Sequence, residues 1–252
     1  MPEPRFRDLF SRDSTSYARF RPRYPSALFE WLAALPERRA LAWDCGTGSG
    51  QAAVPLTSHF DRVVGTDASM AQLRAAARAP GLSYLACPAE QTALRGGMVD
   101  LVTVAQAFHW LDHERFFAEV GRVIGPGGAL AVIGYARISA DPEVERAVHR
   151  FQDETVGPWW PPERKLVDAR YRGIGIPIQE LPDPGFRIQA ELELAELLGY
   201  VGTWSAVELY RERLGRDPVP ALKAELEPVW GDPGQPRPIS WPLFVRAGKW
   251  AG

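Results

Sequence analysis

The run Leu41-Ala42-Trp43-Asp44-Cys45-Gly46-Thr47-Gly48-Ser49-Gly50 carries the strongest chemical signal in the chain. A short apolar stretch ends in a carboxylate, and glycine then recurs at every second position. That pattern suits a buried strand turning sharply into a helix and laying its backbone bare for a ligand. A Cβ there would obstruct both the turn and the close approach. Farther on, the apolar step Val63-Val64-Gly65-Thr66 ends in Asp67, at the kind of strand tip where a ribose diol is held. Together the two predict a nucleoside-containing cofactor. The glycines alone leave its identity open. Gly48-x-Gly50-x-x-Ala53 satisfies the dinucleotide fingerprint, whereas the frame starting at Gly46 fails at Gln51. Asp44 weighs against a dinucleotide, because an anion would repel pyrophosphate there but would favour the ammonium of an amino-acid tail. The chain also lacks a Tyr-x-x-x-Lys pair and a phosphate-binding Gly-x-x-x-x-Gly-Lys-Ser/Thr loop.

A second group of candidates follows the apolar run Val99–Ala105. His109 is the one evident general base, since an imidazole near its ordinary pKa can take a proton. Its alternative role is to order the loop through a backbone hydrogen bond. His109 and His113 are four apart, but Trp110 stands where a His-Glu-x-x-His motif has its Glu. No third ligand is evident, so no metal is expected. Cys45 reads as a small apolar filler against its strand. Trp159, Trp160 and Trp204 could line an acceptor pocket or simply form a satellite hydrophobic cluster.

These residues need elements to hold them. Apolar periodicity predicts a helix from about Ser26 to Leu35, then strand 40–44, helix 50–58, strand 62–66 and helix 70–79. Ser69 and Gln72 read as a capping box for the last of these. Strands at 82–86, 99–105 and 129–135 and a helix at 112–123 complete a strand–helix alternation, which means a doubly wound parallel sheet. After Tyr135 the rhythm breaks. Asp141-Pro142 opens a helix to about Thr155, residues 186–192 alternate as a sixth strand, and helices are expected near 193–201 and 206–214, the second capped by Ser205. Asp217-Pro218 can open another helix, and Trp241–Ala247 is the last strand. The expected fold is α/β, a mostly parallel, seven-stranded Rossmann-like sheet with a helical cap. All 252 residues form one domain. Its core is 26–135 plus 186–192 and 241–247, its N-terminal lid 1–25, and its cap 136–185 with 193–236.

Composition narrows the function classes. A net charge of −2 offers no basic field for nucleic acid. Two cysteines cannot build a disulfide framework, which suits a cytoplasmic setting, and no apolar run reaches membrane-spanning length. A small-molecule acceptor and a monomer or homodimer are expected.

Asp44-x-Gly46-x-Gly48-x-Gly50, Asp67, Ala89-Glu90 and Val123-Ile124-x-Pro126-Gly127-Gly128 resemble the class I S-adenosylmethionine-dependent methyltransferases. Within them the likeness is to the type 11 group and relatives of trans-aconitate methyltransferase. It extends to Tyr17-x-x-x-Arg21-Pro22-x-Tyr24-Pro25 and to Gln106-Ala107-Phe108-His109-Trp110. The resemblance implies that S-adenosyl-L-methionine lies along the loop Asp44, Cys45, Gly46, Thr47 and Gly48, with Asp67 on the ribose hydroxyls. Ala68 and Met70 would flank the adenine, and the Ala89-Glu90 backbone or the Glu90 side chain would meet its amino edge. Ala105 and Gln106 would face the sulfonium, and Tyr17 and Arg21 would close over the cofactor. Pro88 stands where relatives often carry an Asp. Methyl transfer is then an in-line displacement, and only an acceptor that arrives protonated needs a base. Phe108, His109, Trp110 and Trp159 are the expected acceptor pocket, with the rings of Tyr17, Phe108 and Trp110 available for cation–π attraction. The remaining alternatives are a nicotinamide-dependent oxidoreductase and a protein that binds S-adenosylmethionine without turnover.

Overall fold

The computed structural model describes residues 20–135 and 137–252. Strands β1 (Leu41–Cys45), β2 (Arg62–Asp67), β3 (Leu82–Ala86), β4 (Val99–Ala105) and β5 (Ile124–Tyr135) pair in parallel in the order β3-β2-β1-β4-β5. The order reverses at β1/β4, so the carboxyl ends of these two strands open the crevice where doubly wound sheets bind ligands. Asp100, buried in β4, accepts from the backbone N–H groups of Ala40 and Leu41 and pins β1 against β4 at the opposite end.

Among the described residues the sheet has eight strands, not the expected seven. The extra one, β6 (Ile178–Glu180), is three residues long, too short for an alternating pattern to show in sequence. The long strand β8 (Arg237–Trp250) runs antiparallel to β5 and also receives β6. Its first part, from Arg237 to Pro242, pairs with β7 (Arg187–Leu192), so the expected sixth strand lies off the main path.

Helices α1 (Ser26–Ala33), α2 (Ala53–Leu56), α3 (Met70–Ala75) and α4 (His113–Val123) flank the sheet. Both α2 and α3 are shorter than their periodicity suggests. The chain leaves α3 in extended conformation at Ala76, and the Ala77 N–H donates to the Ser49 carbonyl, which ties the helix end to the glycine loop. Ser69 caps α3 through the Gln72 N–H, while its own N–H goes to Asp67. Only half of the expected box therefore forms. Asp112 and Asp141 cap α4 and α5 (Pro142–Arg150). Helices α6 (Arg164–Asp168), α7 (Leu194–Gly202), α8 (Ser205–Leu214) and α9 (Val219–Trp230) complete the chain. Ser205 lies inside α8 and caps nothing, because the two-residue link from α7 places Trp204 at the cap. The reciprocal capping box belongs to Glu193 and Glu196 at α7.

Two apolar layers enclose the sheet. One contains Trp43, Val102, Val104, Phe108, Phe116, Leu130, Tyr171 and Phe244. The other joins Leu28, Leu56, Leu101 and Ile133 to Val148, Leu197, Leu222, Trp230 and Trp241, so α5, α7 and α9 share a core with the sheet. Among the described residues no helix is long and apolar enough to cross a membrane.

Candidate functional site

The glycine loop leaves β1 with left-handed backbone at Gly46, Gly48 and Gly50. At Gly46 a Cβ would sit 2.5 Å from the Cβ of Ala107, and at Gly50 it would run into the Tyr84 hydroxyl. Only glycine meets both demands, a positive φ and no side-chain volume. Asp44 lies beneath this turn and is almost fully buried. It accepts from the hydroxyls of Thr47 (2.6 Å) and Thr103 (2.8 Å). Burial lifts its pKa to about 6, against the pull of the two hydroxyls. Its charge therefore acts on the loop from below, and the expected direct exposure to a ligand is not seen. The Cys45 side chain is wholly buried, as a filler should be, and burial pushes its thiol pKa up.

At the tip of β2, Asp67 accepts from the N–H of Gly48 (2.9 Å) and of Ser69 (2.8 Å). It thus joins the loop to the start of α3. Beyond it Ala68 is exposed, and Met70 leaves half its surface in solvent, unusual for a large apolar side chain. Ala89 and Glu90 stand on the adjoining loop, where the Glu90 carboxylate accepts from the Asp112 N–H. That carboxylate anchors the loop to the start of α4. Tyr17 lies outside the described residues.

Where β4 ends, Gln106 takes a positive φ of 56°. Such backbone costs about 1–3 kcal/mol in a residue with a side chain and clusters at functional sites. Its N–H donates to the Ile133 carbonyl and its amide nitrogen to that of Tyr135, so its side chain is turned across β5. A cleft of about 690 Å³, counting the part open to solvent, opens beside it. Gln106, His109, Trp110, Arg21, Arg164 and Trp160 are among its walls.

The cleft corrects two expectations. Phe108 does not line it. The ring is completely buried, in edge contact with Phe116 and Tyr171, because the turn after Gln106 sends it under the sheet while its neighbour faces out. Trp159 packs edge-on against Tyr210, and Trp160 takes the wall position one residue on.

His109 does line the cleft, with Nδ1 2.9 Å from the Tyr171 hydroxyl. Burial first, then the charges of Arg164, Arg21 and His113, push its pKa from 6.5 down to about 3. A ring that releases its proton so readily is a poor general base at neutral pH, which overturns that role. His113 turns away and donates to the Phe108 carbonyl, so the two histidines share no ligand position. Among the described residues no group of three or more His, Cys, Asp or Glu could hold a metal ion.

A pH dependence follows. The unfolded chain binds a proton at His109 below pH 6.5 and the native chain does not, so this residue costs stability as pH falls through that value. Asp44 runs the other way, costing stability as pH rises from 3.8 through 6. Comparison with His109→Gln isolates the first effect. Between about pH 6.5 and 5 the unfolding free energy of the wild type should fall by about 1.5 kcal/mol relative to the variant, measured by urea denaturation. Parallel curves for the two proteins would refute the buried, uncharged ring.

The positive charge of the cleft is unevenly committed. Arg137 is held by both oxygens of Asp153, and Arg21 by the Tyr135 hydroxyl and the Thr203 carbonyl. Arg164 donates only its Nε, to Asp168, and lies over the Trp160 ring at 4.5 Å. Its side chain is one-fifth exposed, and its two terminal nitrogens have no acceptor among the described residues.

A family profile described as a methyltransferase domain matches residues 43–132, the glycine loop through β5. A methyltransferase of Dictyostelium discoideum is 32% identical over 90% of this chain and 88% of its own. A solved structure from Anaeromyxobacter dehalogenans, described as a type II methyltransferase, is 43% identical. It superimposes with a TM-score of 0.85 over 91% of this chain and 98% of its own. The chain belongs to the class I S-adenosylmethionine-dependent methyltransferases. An uncharacterized methyltransferase of Mycobacterium tuberculosis adds 38% identity over 48% of this chain and 50% of its own length. The methyltransferase assignment removes the nicotinamide alternative, and the cofactor of the family is S-adenosyl-L-methionine. The loop fits that molecule, with left-handed glycine at every second position and Asp67 and the exposed Met70 at its border.

Of the residues that hold the cleft and the loop in place, sequence reasoning misses Tyr171, Tyr135 and Thr103. Each acts from a distant part of the chain, and none sits in a local motif. Sequence offers Arg164 as one of four arginines that could meet a carboxylate, with Arg137, Arg170 and Arg172, and Trp160 as one of three candidate pocket tryptophans, without choosing among them.

Proposed function

We propose that this methyltransferase esterifies a carboxylate oxygen of a small anionic acceptor, and that the resemblance to relatives of trans-aconitate methyltransferase reflects shared acceptor chemistry. The carrying observation is the cleft wall, which among the described residues holds three arginines and not one carboxylate. A cationic, part-buried cleft favours anions and excludes amines that arrive charged.

The absence of a usable base among the described residues of the cleft points the same way. His109 is held far below neutrality, and burial pushes the Tyr200 hydroxyl up to about 12. A phenol, alcohol or ammonium would need a proton removed, whereas a carboxylate arrives ready to react. Bound S-adenosylmethionine supplies a sulfonium methyl group to an in-line nucleophile.

The residues around it hold and align. The backbone of Cys45, Gly46, Thr47 and Gly48 is assigned to the methionine end and Asp67 to the ribose hydroxyls. Ala68 and Met70 cover the adenine, with the Ala89-Glu90 backbone at its amino edge. Ala105 and Gln106 stand at the reacting end, and Arg21 bridges sheet and cap beside it. Arg164 offers two parallel N–H donors, the geometry that matches a carboxylate. Its stacking on Trp160 holds the fork in place and shields it from water. What remains for catalysis is orientation in a dry cleft, which contributes roughly 7–11 kcal/mol in favourable cases.

The test uses S-adenosylmethionine labelled in its methyl group and a panel of carboxylic acids, phenols and amines. Label should appear only in products of the acids and be released as methanol by alkali, the mark of a methyl ester. Alkali-stable transfer to phenols or amines would overturn the carboxylate reading. No transfer to any acceptor class, with S-adenosylhomocysteine still bound, would favour the non-catalytic alternative.

A further inference from the structure

Tyr171 lies 62 positions after His109 in the chain, yet its hydroxyl is the protein partner of Nδ1. The two rings are nearly parallel, 20° apart, and the tyrosine is completely buried. Its placement is costly. Both Arg170 and Tyr171 adopt left-handed backbone, at φ 53° and 55°, which is rare in residues with bulky side chains and clusters at functional sites. Arg246 holds that conformation. Its guanidinium donates to the carbonyls of Tyr171 and Ile174 and pairs with both oxygens of Glu180.

The direction of the His109–Tyr171 hydrogen bond follows from what each group can do. The phenolic oxygen also accepts from the backbone N–H of His109, but among the described residues the phenolic O–H has no acceptor other than Nδ1. If Nδ1 carried the proton, the phenolic O–H would be left buried without an acceptor, at a cost of about 1–3 kcal/mol. If the phenol donates, its buried O–H is satisfied. In a neutral imidazole the nitrogen that accepts leaves the other one protonated. Nε2 has no protein partner among the described residues, and the ring forms part of the cleft wall.

We propose that Tyr171 is a positioning residue: its hydroxyl donates to Nδ1 of His109 and holds the ring as the Nε2–H tautomer, which offers that N–H to the methyl-accepting carboxylate. This rests on the carboxylate reading above for the identity of the group that accepts. His109 then acts as a fixed neutral donor beside Arg164. It steers one carboxylate oxygen, while the other, held by Arg164 through one lone pair, attacks through its second. A protonated imidazole would bind the same anion more tightly but would also draw electron density from the attacking oxygen. Keeping the ring neutral avoids that penalty.

The test reads the tautomer directly. In protein labelled with 15N-histidine, long-range proton–nitrogen correlation distinguishes Nδ1–H from Nε2–H. His109→Gln assigns the signal among only four histidines. The wild type should show His109 as a single Nε2–H tautomer from about pH 5.5 to 8. Tyr171→Phe should give a mixture of tautomers. A wild-type Nδ1–H signal overturns the proposal even if Tyr171→Phe fails to fold, and so does an unchanged pure Nε2–H signal in the variant. A merely structural Tyr171 would lower stability without moving the tautomer ratio. The measurement needs no acceptor, so its failure is distinguishable from failure of the carboxylate reading, which the methyl-ester assay judges.

Discussion

Arg164→Met should lower kcat/KM for a carboxylate acceptor by about 10²–10³-fold while leaving S-adenosylhomocysteine affinity within about twofold. The first figure follows from losing two hydrogen bonds between charged groups in a site shielded by Trp160, together worth about 3–4 kcal/mol. The second follows from position. Arg164 sits on α6 in the wall of a cleft whose lining includes no glycine-loop residue, and its own ion pair with Asp168 is a partly exposed i,i+4 contact. Such a pair contributes only about 0.3–0.5 kcal/mol, so the variant should fold. Arg164→Lys separates charge from shape. A point charge keeps the attraction but cannot make two parallel bonds, so its activity should fall between wild type and Arg164→Met. Steady-state kinetics, with calorimetric titration of S-adenosylhomocysteine alongside, checks both halves. Equal activity in Arg164→Met would remove the arginine from acceptor recognition.

Asp67→Ala should weaken S-adenosylhomocysteine binding about 100-fold in calorimetric titration. The carboxylate does two jobs. It accepts from the backbone of Gly48 and Ser69, which sets the loop before any ligand arrives. Each carboxylate oxygen can accept a further bond, which leaves capacity for a ribose diol. Alanine removes both functions, so the loss should exceed that of a single ribose contact. Asp67→Asn keeps one acceptor oxygen toward the loop and loses the charge, so it should weaken binding by roughly tenfold. If both variants bind as the wild type does, neither the loop support nor the ribose assignment stands.

Much of the proposed cofactor half of the site is legible in the amino-acid order alone. Its signals are local: alternating glycines, a carboxylate ending each of two apolar strands, and a capping serine just after the second. The doubly wound parallel class is legible as well, because a strand–helix alternation leaves few right-handed ways to wind a parallel sheet. Departures come where an element's end is set by a partner. Helix α3 stops early because Ala77 is drawn to Ser49, and no periodicity within 70–79 contains that bond.

The acceptor half is much less legible. Phe108 and His109 are neighbours in sequence, yet the left-handed turn at Gln106 buries one and leaves the other on the cleft wall. Of the three candidate tryptophans Trp160 and Trp204 reach the cleft wall and Trp159 does not, since one residue of rotation in a short turn decides which ring faces the cleft. His109 reads as a base in sequence because imidazole is one at its ordinary pKa. Its real state depends on burial, on Arg21 and Arg164, and on a tyrosine far along the chain.

What the amino-acid order dictated was thus the backbone cradle and the strand tips, because glycine conformation and apolar periodicity act over a few residues. The charge of the cleft, the protonation of His109 and the availability of Arg164 came only with folding. Electrostatics and desolvation depend on distances between groups that the chain brings together from remote positions, and no local pattern encodes those distances.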